Sequence, residues 1–152
     1  MSDSAYDPRV ALAFFKSAGK GEKVPAGRTI FAEKERGSRL LLKSSKMYLL
    51  LKGEVALLAG KQEVGAVMPG EVFGELAAIT DAPRSASAVA KTDCTVIALD
   101  GKAFEAAIRR KPAFALMLMS VMVRRLRETI ARLAADGELS ADRAAKEGAA
   151  FN

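Results

Sequence analysis

The sequence predicts an antiparallel β-sandwich or barrel with helices at both ends. Three observations carry this: short apolar or alternating runs between residues 22 and 99, turn-forming Gly and Pro residues that separate them, and a change to helical periodicity after Asp100. A chain of 152 residues with 50% hydrophobic content is long enough for one globular domain with a real core, and two would be cramped.

Each element has its own signal. Asp7 is placed to cap a short helix, with Pro8 in its first turn, Val10, Ala11, Leu12, Phe14 and Phe15 along it, and Gly19 just past its end. Strand segments follow at 29–31, 40–42, 47–51, 54–58, 63–68, 86–90 and 95–99. Pro25-Ala26-Gly27, Gly37-Ser38, Lys52-Gly53, Ala59-Gly60-Lys61 and Pro69-Gly70 punctuate them. Residues 102–110 read as a short helix capped by Asp100. Pro112 then opens a longer helix expected to run to about Asp136, just before Gly137. Residues 1–137 are expected to form the domain, and 138–152, small and polar, a flexible tail.

The long helix carries a second pattern. Leu116, Met119, Val123, Leu126, Ile130 and Leu133 are separated by 3, 4, 3, 4 and 3 residues, the spacing of a coiled-coil seam. A parallel homodimer through the helix from Pro112 to Asp136 is the expectation, against the plainer reading of a core helix in a monomer.

Composition excludes much chemistry. The chain has no histidine, so a Ser-His-Asp or Cys-His site and a His-ligated metal are ruled out. The single Cys94, in the apolar context Cys94-Thr95-Val96-Ile97, reads as a buried, inert thiol. No nucleophile and base constellation is evident, and no enzyme activity is expected. The most apolar run, 112–123, is well short of the roughly 20 residues that span a bilayer. The N-terminal segment has no apolar stretch of signal-peptide length, so a cytoplasmic, non-membrane protein is expected. The net charge of +6 invites a nucleic-acid reading, but Lys and Arg are dispersed. The clusters Arg109-Arg110-Lys111 and Arg124-Arg125 with Arg127 fit solvated helix faces, and direct nucleic-acid binding is not expected.

The stretch from Gly74 to Ala86 sets Glu75 and Arg84 among small residues. Gly74 followed by Glu75, Leu76 and Ala77 can start a one-turn helix whose free N–H groups suit an anion. Arg84 can add a charge-assisted, bidentate contact, with Ser85 giving a hydroxyl. Glu75 cannot favour a phosphate; an ionised carboxylate only accepts hydrogen bonds, and a sugar hydroxyl is a suitable donor. A phosphate joined to a ribose meets both demands. The competing reading is a Glu75–Arg84 salt bridge around Pro83.

The run Val72-Phe73-Gly74-Glu75-Leu76-Ala77-Ala78-Ile79, with Pro83-Arg84-Ser85-Ala86-Ser87-Ala88, resembles the phosphate-binding cassette of cyclic-nucleotide-binding domains of the catabolite-activator type. Pro25 to Phe31, Met47 to Val55 and Met68 to Phe73 are similar to the family's first turn, middle strand with glycine turn, and approach to the cassette. The resemblance implies an antiparallel β-roll, or jelly roll, of about eight strands, mainly β with flanking α. It implies a short N-terminal helix, a short helix in the cassette and a long C-terminal dimerisation helix. It assigns the ribose to Glu75, the cyclic phosphate to Arg84, pocket-lining backbone to Gly74, Leu76 and Ala77, and the rest of the cradle to Ser85 and Ala86. Thr129 matches the first residue of a hydroxyl pair that contacts adenine; Ile130 replaces the second.

Two departures stand out. The connection between Phe31 and Met47 is longer than usual, and the chain stops near the end of the dimer helix, so a stand-alone sensor is expected. Cyclic AMP is favoured over cyclic GMP because of Ser85, and the downstream protein partner is unspecified. The alternatives are a nucleic-acid-binding regulator of the catabolite-activator type and a ligand-free interaction module.

Overall fold

The computed structural model describes residues 7–35, 45–75 and 83–150, the segment 138–150 by its backbone alone. The strand expected at 40–42 lies outside the described residues. The chain forms two compact units: Asp7–Phe114, and a second built on the terminal helix from Ala115 onward.

The first unit begins with α1 (Pro8–Ala18), where Asp7 accepts a hydrogen bond from the Arg9 amide at 2.9 Å and Pro8 occupies a position needing no donor. The helix buries Ala11, Phe14 and Phe15. The Phe14 ring stacks on Phe114 with centroids 3.6 Å apart, and Phe15 meets both edge-on.

Eight antiparallel strands follow: β1 (Lys20–Val24), β2 (Thr29–Phe31), β3 (Met47–Lys52), β4 (Val55–Ala59), β5 (Gln62–Val67), β6 (Val72–Phe73), β7 (Ser87–Ala90) and β8 (Cys94–Leu99). They form two four-stranded sheets, ordered β1-β8-β3-β6 and β2-β7-β4-β5. Between them lies a core that includes Val24, Phe31, Tyr48, Leu50, Val55, Val67, Phe73, Ala88, Ala90, Val96 and Ala98. Met47 and Leu49 alternate with Tyr48 and Leu50 and are also fully buried, so β3 is covered on both faces.

β1 and β6 escape sequence reading for opposite reasons. β1 is exposed except at Val24, so it has no apolar signal, and it is held by pairing with β8 from Lys20↔Ala98 to Val24↔Cys94. β6 is only two residues long, caught between the turn at Gly70 and Gly74.

One irregularity matters for the site. In the β2–β7 pair, Thr29 faces Val89 while Phe31 faces Ala88, so β2 carries one residue more than its partner. Neighbouring side chains of a regular strand point to opposite faces, but such a bulge re-aims one of them. Ile30 and Phe31 accordingly both pack on the same core.

α2 (Gly101–Arg110) is capped as expected, Asp100 Oδ1 accepting from the Ala103 amide at 2.8 Å. The end expected for the following helix is corrected. α3 (Pro112–Ala150) runs 39 residues and passes through Gly137. A glycine ends a helix by adopting a left-handed conformation, and Gly137 is not among the positive-φ glycines. All six seam residues on α3 are exposed, from 50% at Val123 to 66% at Leu116. Cys94 is buried as expected, with Sγ 3.2 Å from the Thr92 carbonyl oxygen.

Candidate functional site

β6 ends at Gly74, whose φ of +75° turns the chain out of the sheet in a conformation that costs a side-chain-bearing residue roughly 1–2 kcal/mol. Glu75 comes next, 3% exposed, and the rest of the short helix expected in the cassette lies outside the described residues. Arg84, 6% exposed, returns the chain towards β7.

Arg84 is fixed at main chain and side chain alike. Its amide donates to the Glu35 carbonyl at 2.9 Å, and its own carbonyl accepts from the Lys34 amide at 2.8 Å. The turn carrying those partners is closed on itself: the Glu35 amide donates to the Ala32 carbonyl at 3.1 Å, and Glu35 Oε2 accepts from the Ala32 amide at 2.9 Å. Lys34 takes a φ of +67° within it, and it is the one non-glycine residue with positive φ among the described residues.

The guanidinium lies in a tight setting. Nη1 donates to the Gly74 carbonyl at 2.7 Å and Nη2 to the Lys46 carbonyl at 2.5 Å, while Cζ stands 4.0 Å from the centroid of the Phe31 ring. A Cβ built on Gly74 would come 2.8 Å from Nη1, 3.1 Å from Phe31 Cε1 and 3.3 Å from the Lys46 carbonyl oxygen. The glycine is thus needed for its conformation and for the space it leaves.

Burial holds the Arg84 pKa below the usual guanidinium value, opposed by the nearby Tyr48, Glu35 and Glu75. An arginine starts so far above neutrality that it remains charged. Burial likewise pushes the Tyr48 phenol up, and the Arg84 charge pulls it partly back. Tyr48 stacks against Phe31 and Phe73 at centroid distances of 5.9 and 5.3 Å. Glu75 and Arg84 therefore share a buried neighbourhood, but the guanidinium hydrogen bonds run to main-chain carbonyls. Among the described residues, no group of three His, Cys, Asp or Glu side chains gathers to hold a metal.

A buried guanidinium and a buried carboxylate that feel each other's charge, the carboxylate directly after Gly74, suit an anionic sugar ligand. A family model described as the cyclic nucleotide-binding domain matches residues 22–111. The chain belongs to the cyclic nucleotide-binding domain family. It is 36% identical over 124 residues to the cyclic AMP receptor protein of Thermus thermophilus, covering 78% of this chain and 52% of that protein. In structure it is similar to the Thermus thermophilus catabolite activator protein, with a TM-score of 0.70, 33% identity, and coverage of 86% of this chain and 59% of that one. A second structural likeness, solved in work on a cyclic-GMP-dependent signalling pathway in bacterial phytopathogenesis, has a TM-score of 0.68, 28% identity, and coverage of 78% of this chain and 93% of that one. The chain spans about half the length of the curated relatives it matches.

Within this cyclic nucleotide-binding domain the structure brings Gly74, Glu75 and Arg84 together. Ser85 is exposed beside Arg84, and Ala86, half-buried, leads into β7. Leu76 and Ala77 lie outside the described residues. Thr129 stands in the second unit, exposed, its hydroxyl donating to the Arg125 carbonyl at 2.9 Å. Sequence reasoning missed Phe31, Tyr48, Lys46 and the turn of Lys34 and Glu35. Phe31 stands in the sequence only as the end of the 29–31 strand, and nothing in a sequence reports main-chain carbonyls.

Proposed function

We propose that the chain is a regulatory sensor that binds a cyclic nucleotide, cyclic AMP in preference to cyclic GMP, and acts as a homodimer without catalysing a reaction. The single observation that supports this most is Arg84, a buried guanidinium that among the described residues bonds through two of its five N–H groups, to the Gly74 and Lys46 carbonyls.

The cyclic phosphate meets the Arg84 guanidinium, the Ser85 hydroxyl and the backbone of Gly74, with Leu76 and Ala77 assigned to it by the resemblance alone. Glu75 accepts from the ribose hydroxyl, and Ala86 is small enough to let the ligand approach. Thr129 is the residue to which the resemblance assigns the base. The preference for cyclic AMP draws on Ser85 and on the name of the Thermus relative, a cyclic AMP receptor protein.

The dimer reading is supported by the exposed stripe on α3. Written as heptads, Leu116, Val123 and Ile130 fall at a and Met119, Leu126 and Leu133 at d. β-Branched residues at a with Leu at d favour two parallel strands. Signalling then follows as a population shift: nucleotide favours the dimer arrangement to which it binds more tightly, and equal affinity for both arrangements would shift nothing. A downstream protein partner reads the result. Cytoplasmic residence accords with described helices none of which is long and apolar enough to cross a membrane.

Titration calorimetry with cyclic AMP and cyclic GMP tests the reading, alongside sedimentation equilibrium for the dimer. Saturable heat with cyclic AMP and a two-chain mass are expected; absence of heat with both nucleotides on folded protein defeats it.

A further inference from the structure

We propose that Phe31 is a positioning residue for the ligand, holding Arg84 in the orientation that receives the phosphate through the face of its ring; this rests on the cyclic-nucleotide reading above. Phe31 is 7% exposed and belongs to the core between the sheets, so its burial alone would explain an apolar residue there. Its placement is more particular. The extra residue in β2 turns Phe31 to the same side as Ile30, and the ring then lies under the guanidinium with Cζ 4.0 Å from its centroid.

A guanidinium needs support from below in this setting. Its two bonded carbonyls, Gly74 and Lys46, hold Nη1 and Nη2, the ends of the fork. A ring face beneath a cation holds it from a third direction, and its negative quadrupole offsets part of the cost of taking the charge out of water. Phe31 is braced in turn, its centroid 5.9 Å from that of Tyr48 and 6.1 Å from that of Phe73. Gly74 leaves the room this contact needs, since a Cβ there would meet both Phe31 and Arg84. An aliphatic residue at 31 would fill the core but would offer the cation no quadrupole.

The test separates the ring's electronics from its bulk. Phe31→Leu should raise the Kd for cyclic AMP and cyclic GMP alike, by about fivefold to thirtyfold, because the phosphate is common to both. Because Phe31→Leu also changes the core packing, Phe31 is further replaced by mono-, di- and trifluorophenylalanine, which nearly preserve shape while draining the ring face. Kd should rise with each fluorine. An unchanged Kd across that series overturns the proposal, because a packing role would not follow the quadrupole. A third readout needs no ligand: the Arg84 side-chain proton resonances should be ring-current shifted in the wild type and lose that shift in Phe31→Leu. If the wild type binds neither nucleotide but the shift is present and lost, the ligand reading fails and the positioning of Arg84 by Phe31 stands; if the shift is absent from the wild type, the positioning fails.

Discussion

The Arg84 guanidinium donates to the Gly74 carbonyl at 2.7 Å, and it can do so because residue 74 has no side chain. Gly74→Ala would place a methyl group 2.8 Å from Nη1 and impose a φ of +75° on alanine. The expected result is a loss of about 2 kcal/mol in stability, the sum of backbone strain and a displaced arginine, together with weaker nucleotide binding. Urea denaturation and calorimetry on the same preparation measure the two effects; unchanged stability would show that the site tolerates a Cβ.

Arg84→Ala is expected to remove detectable nucleotide binding. It should also lower stability by roughly 1–3 kcal/mol, because the Gly74 and Lys46 carbonyls lose their shared donor. Arg84→Lys keeps the charge but cannot fork to both carbonyls, so it should bind measurably and weakly. Wild-type affinity in either variant, by calorimetry, contradicts the role given to Arg84.

Tyr48 should titrate above the usual tyrosine value of 10.0, because burial disfavours its phenolate. Between the unfolded and folded values, the folded chain keeps a proton that the unfolded chain releases, so stability falls as pH rises through that window. The sequence has two tyrosines, so the phenolate absorbance of a Tyr6→Phe variant reports Tyr48 alone. In Arg84→Ala the titration should move higher still, since the arginine charge pulls the phenol down. Ionisation at the ordinary value would refute the burial argument.

Lys34 holds a φ of +67°, which costs a residue with a Cβ roughly 1–2 kcal/mol. Lys34→Gly removes that strain but adds freedom to the unfolded chain, worth roughly 0.5–1 kcal/mol. A net gain of about 0.5–1 kcal/mol is expected, seen as a higher urea midpoint at unchanged slope. A lower midpoint would mean that the lysine side chain contributes more than its backbone costs.

The sequence made the β-rich middle legible where apolar residues alternate or cluster, as in β3 and β8, and where Gly or Pro closes a turn, as at Pro25-Ala26-Gly27. It hid β1, because a strand with four exposed residues out of five draws its stability from hydrogen bonding to β8 and not from hydrophobicity. Gly137 misled for a related reason: a glycine permits a helix to stop but does not compel it, and continuing costs only about 1 kcal/mol relative to alanine.

At the site, Glu75 and Arg84 could be singled out because charges among small residues demand explanation, and the family likeness turned that anomaly into assigned roles. The structure supports their closeness and buries both. What remained unseen was the scaffold of Arg84. Its partners are the carbonyls of Gly74 and Lys46, main-chain groups of Lys34 and Glu35, and a ring brought round by one additional residue in β2. Main-chain groups are common to every residue, so their use leaves no mark on composition or spacing.

Six large apolar side chains open to water along α3 carry a consequence of their own. In the proposed homodimer that surface is covered by mass action, and the covered fraction rises with the amount of chain present. Abundance would then act as a second input: dilute protein would answer weakly to a given dose of nucleotide, and concentrated protein strongly, with the threshold set by expression level.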